Sequence, residues 1–130
     1  MAIHTPCTIL LVEDDRMQRN LLREVMNCAY TSATFIEAEN GAEAVKHLRG
    51  NKQIDLALLD LCMPVMEGMA VLRQAKQERW RVPFIVLTGS EEIQDAVEAM
   101  RLGAVDFINK PVEPQRLLTS IHNALTLHNL

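Results

Sequence analysis

Glu13 and Asp14, Asp60, Thr88 and Lys110 are the side chains in this sequence whose types and placement point to chemistry. Each follows a short apolar run, and a run that stops abruptly at a polar group delivers that group to the edge of a sheet. Carboxylates that converge within a few ångströms repel, and a protein tolerates this only by raising a pKa or by binding a cation. A hard divalent ion with oxygen ligands answers that need. Mg2+ fits best, because it accepts one or two carboxylates while keeping waters or phosphate oxygens. A hydroxyl and an ammonium make little sense as further ligands, but they suit anionic oxygens. Asp60 then reads as a nucleophile that attacks phosphorus to form an aspartyl phosphate. Mg2+ and Lys110 would neutralise the charge on the transferred group. Taken singly, Asp60 reads as a helix cap or turn, Lys110 as a surface lysine, Thr88 as a strand-end residue and Glu13-Asp14 as a solvated turn. Together, at strand ends, they read as a site.

The elements that must position them alternate along the chain. Residues 54–59 are almost continuously apolar, as in a parallel strand covered on both faces, and Met63-Pro64 breaks that strand before Glu67-Gly68 leads into a helix. Shorter strands are predicted at 8–12, 33–38, 84–87 and 105–109. Between them, Met17, Leu21, Leu22, Val25, Met26 and Ala29 recur at helical spacing behind a cap at Asp15. Ala42, Ala44, Val45 and Leu48 follow the Asn40-Gly41 turn, and Gly50-Asn51 ends that helix. Met69, Val71, Leu72 and Ala75 mark a third helix. Ser90, Glu91 and Glu92 start a fourth, with Ile93, Ala96, Val97 and Met100 as its buried stripe and 102–104 as its close. Glu113-Pro114 opens the last, with Leu117, Leu118, Ile121, Ala124 and Leu125 facing inward. Five strands alternating with five helices predict an α/β fold, a doubly wound parallel sheet. Parallel strands all end on one edge, where such sheets bind ligands.

Composition sets the outer bounds. A chain of 130 residues, 48% hydrophobic and 23% charged, suits one globular domain. No apolar run approaches membrane-spanning length, and residues 1–6 lack the pattern of a secretory leader, so a cytoplasmic protein is expected. A net charge of −4 argues against non-specific nucleic-acid binding. Cys7, Cys28 and Cys62 are odd in number and lack metal-ligand spacing, which predicts reduced, mostly buried thiols.

In this order the residues resemble the receiver domain of two-component response regulators over 7–126. The resemblance rests on Leu-Leu-Val-Glu-Asp-Asp at 10–15, Leu-Asp-Leu-Cys-Met-Pro-Val-Met-Glu-Gly at 59–68, Leu-Thr-Gly at 87–89 and Gly-Ala-Val-Asp-Phe-Ile-Asn-Lys-Pro at 103–111. It implies a single receiver domain across 1–130, with the flavodoxin-like strand order 2-1-3-4-5 and helices on both faces. It places the phosphoacceptor on Asp60 and the acidic metal pair on Glu13 and Asp14, with Asp15 as a further acid. Asp60 itself and the backbone carbonyl of Cys62 complete the Mg2+ set, for which Mn2+ could substitute. The switch residues fall on Thr88 and Phe107, the phosphate-binding lysine on Lys110, and a cis bond on Lys110-Pro111. Gly89 leaves room for the approach of the phosphoryl group. The implied role is a signalling phosphoacceptor rather than a turnover enzyme.

The implied donor is a sensor histidine kinase or histidine phosphotransfer protein, with Met63-Pro64-Val65-Met66 as its docking loop. The output face would be formed by helix 91–102, strand 105–109 and the last helix, and would control homodimerisation, a partner, or an output domain in a longer chain. The last helix runs to the end of the sequence, which favours excision from a longer regulator over a stand-alone receiver. The departures are Glu13, where Asp is common, and Cys62 and Ser90, neither of which can orient an attacking water well. Glu13 still supports metal contact through water, whereas Cys62 and Ser90 imply a long-lived phosphorylated state. A flavin carrier would require a phosphate loop where Glu13-Asp14-Asp15 stand. An aspartyl phosphatase would want an acid where Cys62 stands. The nearest alternative is a receiver-fold interaction module that acts without phosphorylation.

Overall fold

In the computed structural model, which describes residues 6–30, 32–50, 53–61, 68–89 and 93–128, strands and helices alternate from end to end. They are β1 (Cys7–Val12), α1 (Arg16–Ala29), β2 (Ala33–Ala38), α2 (Gly41–Gly50), β3 (Leu56–Asp60), α3 (Gly68–Glu78), β4 (Phe84–Thr88), α4 (Ile93–Arg101), β5 (Asp106–Asn109) and α5 (Pro114–His128). All four strand pairings are parallel, and the sheet order is β2-β1-β3-β4-β5, as the sequence implied.

Strand alternation sends successive residues into two separate cores. Ile9, Leu11, Leu56, Leu58, Ile85 and Leu87 pack with Leu22 and Met26 of α1 and Leu117 and Ile121 of α5. Leu10, Val12, Ala57, Leu59 and Val86 pack on the other face with α2, α3 and Ala99 of α4. The central strands are thus buried on both sides, which is why they read as unbroken apolar runs. Truncating Leu58 or Ile121, both fully buried, to alanine is expected to cost about 2–5 kcal/mol. Among the described residues, no helix is long and apolar enough to cross a membrane.

Helix starts follow their caps. Asp15 Oδ1 accepts from the N–H of Met17 at 2.9 Å, Asn40 Oδ1 from that of Glu43 at 2.9 Å, and both oxygens of Glu113 take the first free N–H groups of α5. Three expectations need correction. The buried stripe predicted for α4 fails at Val97 and Met100, which are 57% and 46% exposed; the side that meets the sheet carries the fully buried Ala99, Ala96 is half-buried, and the side chain of Ile93 lies outside those described. A small residue at that position lets the helix approach the sheet closely. On α1, Met17 and Leu21 likewise face outward. Cys28 is exposed and Cys7 only half-buried, both as free thiols.

Candidate functional site

Register brings the predicted residues to one edge. Val12 pairs with Ala38 and Leu59, Asp60 with Leu87, and Thr88 with Asn109, so the strands β1, β3, β4 and β5 end nearly level. Three backbone hydrogen bonds carry the ladder one step further. The N–H of Glu13 donates to Ala38 O at 3.1 Å, that of Leu61 to Leu87 O at 3.0 Å, and that of Lys110 to Thr88 O at 2.8 Å. The residues at the rim are therefore set by the sheet rather than by free loops.

Glu13 and Asp60 are 1% and 3% exposed, which is rare for carboxylates. Lys110 Nζ donates to Glu13 Oε2 and Asp60 Oδ2, each at 3.1 Å. Asp14 is exposed beside them, and one carboxylate oxygen from each of Glu13, Asp14 and Asp60 lies within 4.8 Å of the others. Three hard oxygen donors so placed, two of them buried, fit Mg2+. Thr88 is fully buried at the end of β4.

Burial is the main force lifting the Glu13 carboxyl to about 7, and the neighbouring Asp60 carboxyl adds to it, while the Lys110 ammonium pulls the other way. For Lys110, burial would lower the pKa, but the charges of Asp60 and Glu13 outweigh it and leave it raised. The lysine thus stays charged, and one cation serves two buried acids. That arrangement has room for more positive charge.

Phe107 is half-buried on β5 opposite Val86, packed against the core beneath α2, α3 and α4. Its N–H donates to Asp106 Oδ1 at 2.7 Å and its carbonyl accepts from Arg116 Nη2 at 3.0 Å. The Lys110–Pro111 bond is cis, as expected. Asp15 as a further acid is corrected: its carboxylate caps α1 and is not part of the acidic cluster. Cys62, the loop Met63-Pro64-Val65-Met66, Ser90, Glu91 and Glu92 lie outside the described residues.

Two residues make contacts here that the sequence does not announce. Gly68 opens α3 against the exit of β3 and donates its N–H to Leu61 O at 3.0 Å. A Cβ at Gly68 would stand 2.6 Å from Leu61 Cα and collide with the Asp60 carbonyl. In the sequence this glycine reads as a helix start and as the end of the 59–68 motif, with no sign of the close approach. Arg19 is 6% exposed and donates from Nη1 to the Glu13 carbonyl at 2.7 Å and from Nε to Glu37 Oε1 at 2.9 Å. An arginine on the first turn of a helix gives no sequence signal for either contact.

With this geometry in place, comparison with known proteins is informative. Residues 9–122 match the sequence profile of a family described as the response regulator receiver domain. The nitrate/nitrite response regulator protein NarL of Escherichia coli is 32% identical over 124 residues, 95% of this chain and 57% of that protein. The regulatory protein LuxO of Vibrio cholerae is 44% identical over 85 residues, 65% of this chain and 18% of that protein. The crystal structure of a CheY-like response regulator receiver domain protein from Methanospirillum hungatei superposes with a TM-score of 0.86 at 27% identity, covering 96% of this chain and 98% of that one. The chain therefore spans little more than half of the first of these curated relatives and less than a fifth of the second.

Proposed function

The chain belongs to the response regulator receiver domain family of two-component systems, signalling domains rather than turnover enzymes, and from that premise we propose that it accepts a phosphoryl group on Asp60. The observation that carries this reading is the meeting of Asp60, Glu13, Asp14 and Lys110 at one rim, with Thr88 ending the next strand. The donor is a phosphohistidine on a sensor kinase or histidine phosphotransfer protein. A carboxylate oxygen of Asp60 attacks phosphorus as the phosphorus–nitrogen bond breaks, leaving an aspartyl phosphate and a free imidazole.

Glu13 and Asp14 would hold Mg2+ together with Asp60. Bound there, the ion supplies positive charge beside the phosphoryl oxygens. Lys110 turns from Glu13 and Asp60 to those same oxygens, and the Thr88 hydroxyl donates to one of them. Exposed Leu21 of α1 lines an apolar groove that runs between α1 and α5 to Lys110, and this gives a protein partner a landing beside the site.

The readout is assigned to α4, β5 and α5, where Val97, Met100 and Val105 are exposed and Phe107 connects the surface to the core. Phosphorylation would shift an existing equilibrium of that face, and with it a homodimer or an output domain. We read these 130 residues as a single receiver with its core at about 7–126, and the greater length of the relatives supports an output domain beside it in a longer, cytoplasmic protein. Incubation with acetyl phosphate and Mg2+ followed by intact-mass measurement tests the reading. The wild type should gain one phosphoryl group and Asp60→Asn none. A wild type without gain would instead favour an interaction module that acts without phosphorylation.

A further inference from the structure

We propose that Arg19 is a positioning residue for the cation site, a role that rests on the Mg2+ reading above and assigns α1 a part in it. The guanidinium is nearly inaccessible and makes two hydrogen bonds and one looser ion pair. Nη1 donates to the Glu13 carbonyl at 2.7 Å, Nε to Glu37 Oε1 at 2.9 Å, and Nη2 lies 3.6 Å from Glu39 Oε1. Glu37 belongs to β2, so the planar fork ties the end of β1 to its neighbour strand through α1.

The backbone of Glu13 is thereby held from both sides. Its N–H is fixed by Ala38 O at 3.1 Å and its carbonyl by Arg19. With both peptide groups pinned, the side chains of Glu13 and Asp14 leave the strand in fixed directions, toward Asp60. Outer partners that hydrogen-bond the ligating side chains themselves are worth about 10–100-fold in metal affinity, and a contact that acts through the ligand's backbone belongs at the low end of that range. Arg23 provides an internal control. It donates from Nη1 to Glu37 Oε2 at 2.9 Å, the same acid, and no contact between it and Glu13 is found among the described residues.

The experiment compares Arg19→Lys with Arg23→Gln by 1H–15N NMR titration with Mg2+ and by thermal melting. A lysine keeps the charge beside Glu37 but brings a single nitrogen where the guanidinium places Nε on Glu37 and Nη1 on the Glu13 carbonyl. Arg19→Lys should lose about tenfold in Mg2+ affinity, while Arg23→Gln stays within about twofold, with the melts separating a loss of affinity from a loss of fold. In the wild type, the Arg19 guanidinium 15N signal should shift with the same Mg2+ midpoint as the Glu13 amide, a readout that needs no variant to fold. Wild-type affinity in Arg19→Lys, an equal loss in Arg23→Gln, or an unresponsive guanidinium would each overturn the proposal alone. A wild type that takes up no Mg2+ would overturn the metal reading as well.

Discussion

Glu13 and Asp60, buried at the ends of two adjacent strands, share a single cation, with Lys110 Nζ at 3.1 Å from an oxygen of each. Burial first, and Asp60 second, raise Glu13 from 4.5 to about 7. An acid with a raised folded pKa holds its proton more tightly when folded, so its contribution to stability falls as pH rises from about 4.5 to about 7. The difference in melting temperature between wild type and Glu13→Gln, measured without metal, should shift against the wild type across that window. Added Mg2+ should restore the wild type more at pH 8 than at pH 5, since it binds the ionised acid. A difference that moves the opposite way would contradict the burial argument.

Asp106 has the opposite sign. The Arg116 guanidinium pulls its carboxyl down to about 2; burial opposes this, and bonds from the Ser120 hydroxyl at 2.6 Å and the Phe107 N–H at 2.7 Å assist it. A depressed folded pKa gives stability that is present above the unfolded value near 3.8 and is lost as pH falls toward about 2. The group is partly exposed, so screening leaves on the order of 1 kcal/mol. Urea midpoints of wild type and Arg116→Ala should differ at pH 6, and the gap should shrink to about a third at pH 2.5, closing only below the folded value of about 2. A gap of equal size at both would show that the guanidinium acts through packing instead.

Gly68→Ala should destabilise the protein by about 1–3 kcal/mol, because the new Cβ meets backbone at Asp60 and Leu61 rather than a movable side chain. It should also slow phosphoryl uptake, since the strand end that carries Asp60 must shift. Gly50→Ala, which has nothing within 4 Å of its Cβ, is the control and should change stability by less than about 0.5 kcal/mol. Equal unfolding curves for the two variants would refute the clash.

Lys110→Ala removes the ammonium that two buried carboxylates share. Phosphoryl uptake from acetyl phosphate, followed by intact mass over time, should slow by about 100-fold, as for the loss of one donor to a developing oxyanion. An unchanged rate would remove Lys110 from the proposed chemistry.

What the sequence disclosed follows from how each feature is encoded. β3 and β4 are covered on both faces, so Leu56–Leu59 and Phe84–Leu87 read as continuous apolar runs, and Asp60 and Thr88 stood out as their interruptions. Asp15 was legible as a cap because capping depends on residues two and three places ahead. Its second role as a further acid fell for the same reason, as the side chain is already engaged. The faces of α4 were misread because periodicity ranks Val97 and Met100 above Ala99, whereas close packing on the sheet selects the smaller residue. Gly68 and Arg19 act through backbone carbonyls and carboxylates distant in the chain, contacts that carry no period in the sequence.

The most direct test of Asp60 as the acceptor is chemical mapping of the acyl group. Wild type treated with Mg2+ and acetyl phosphate, then trapped with hydroxylamine and digested, should carry a hydroxamate at Asp60 and at no other carboxylate. A hydroxamate elsewhere, or none under donor excess, would contradict the account.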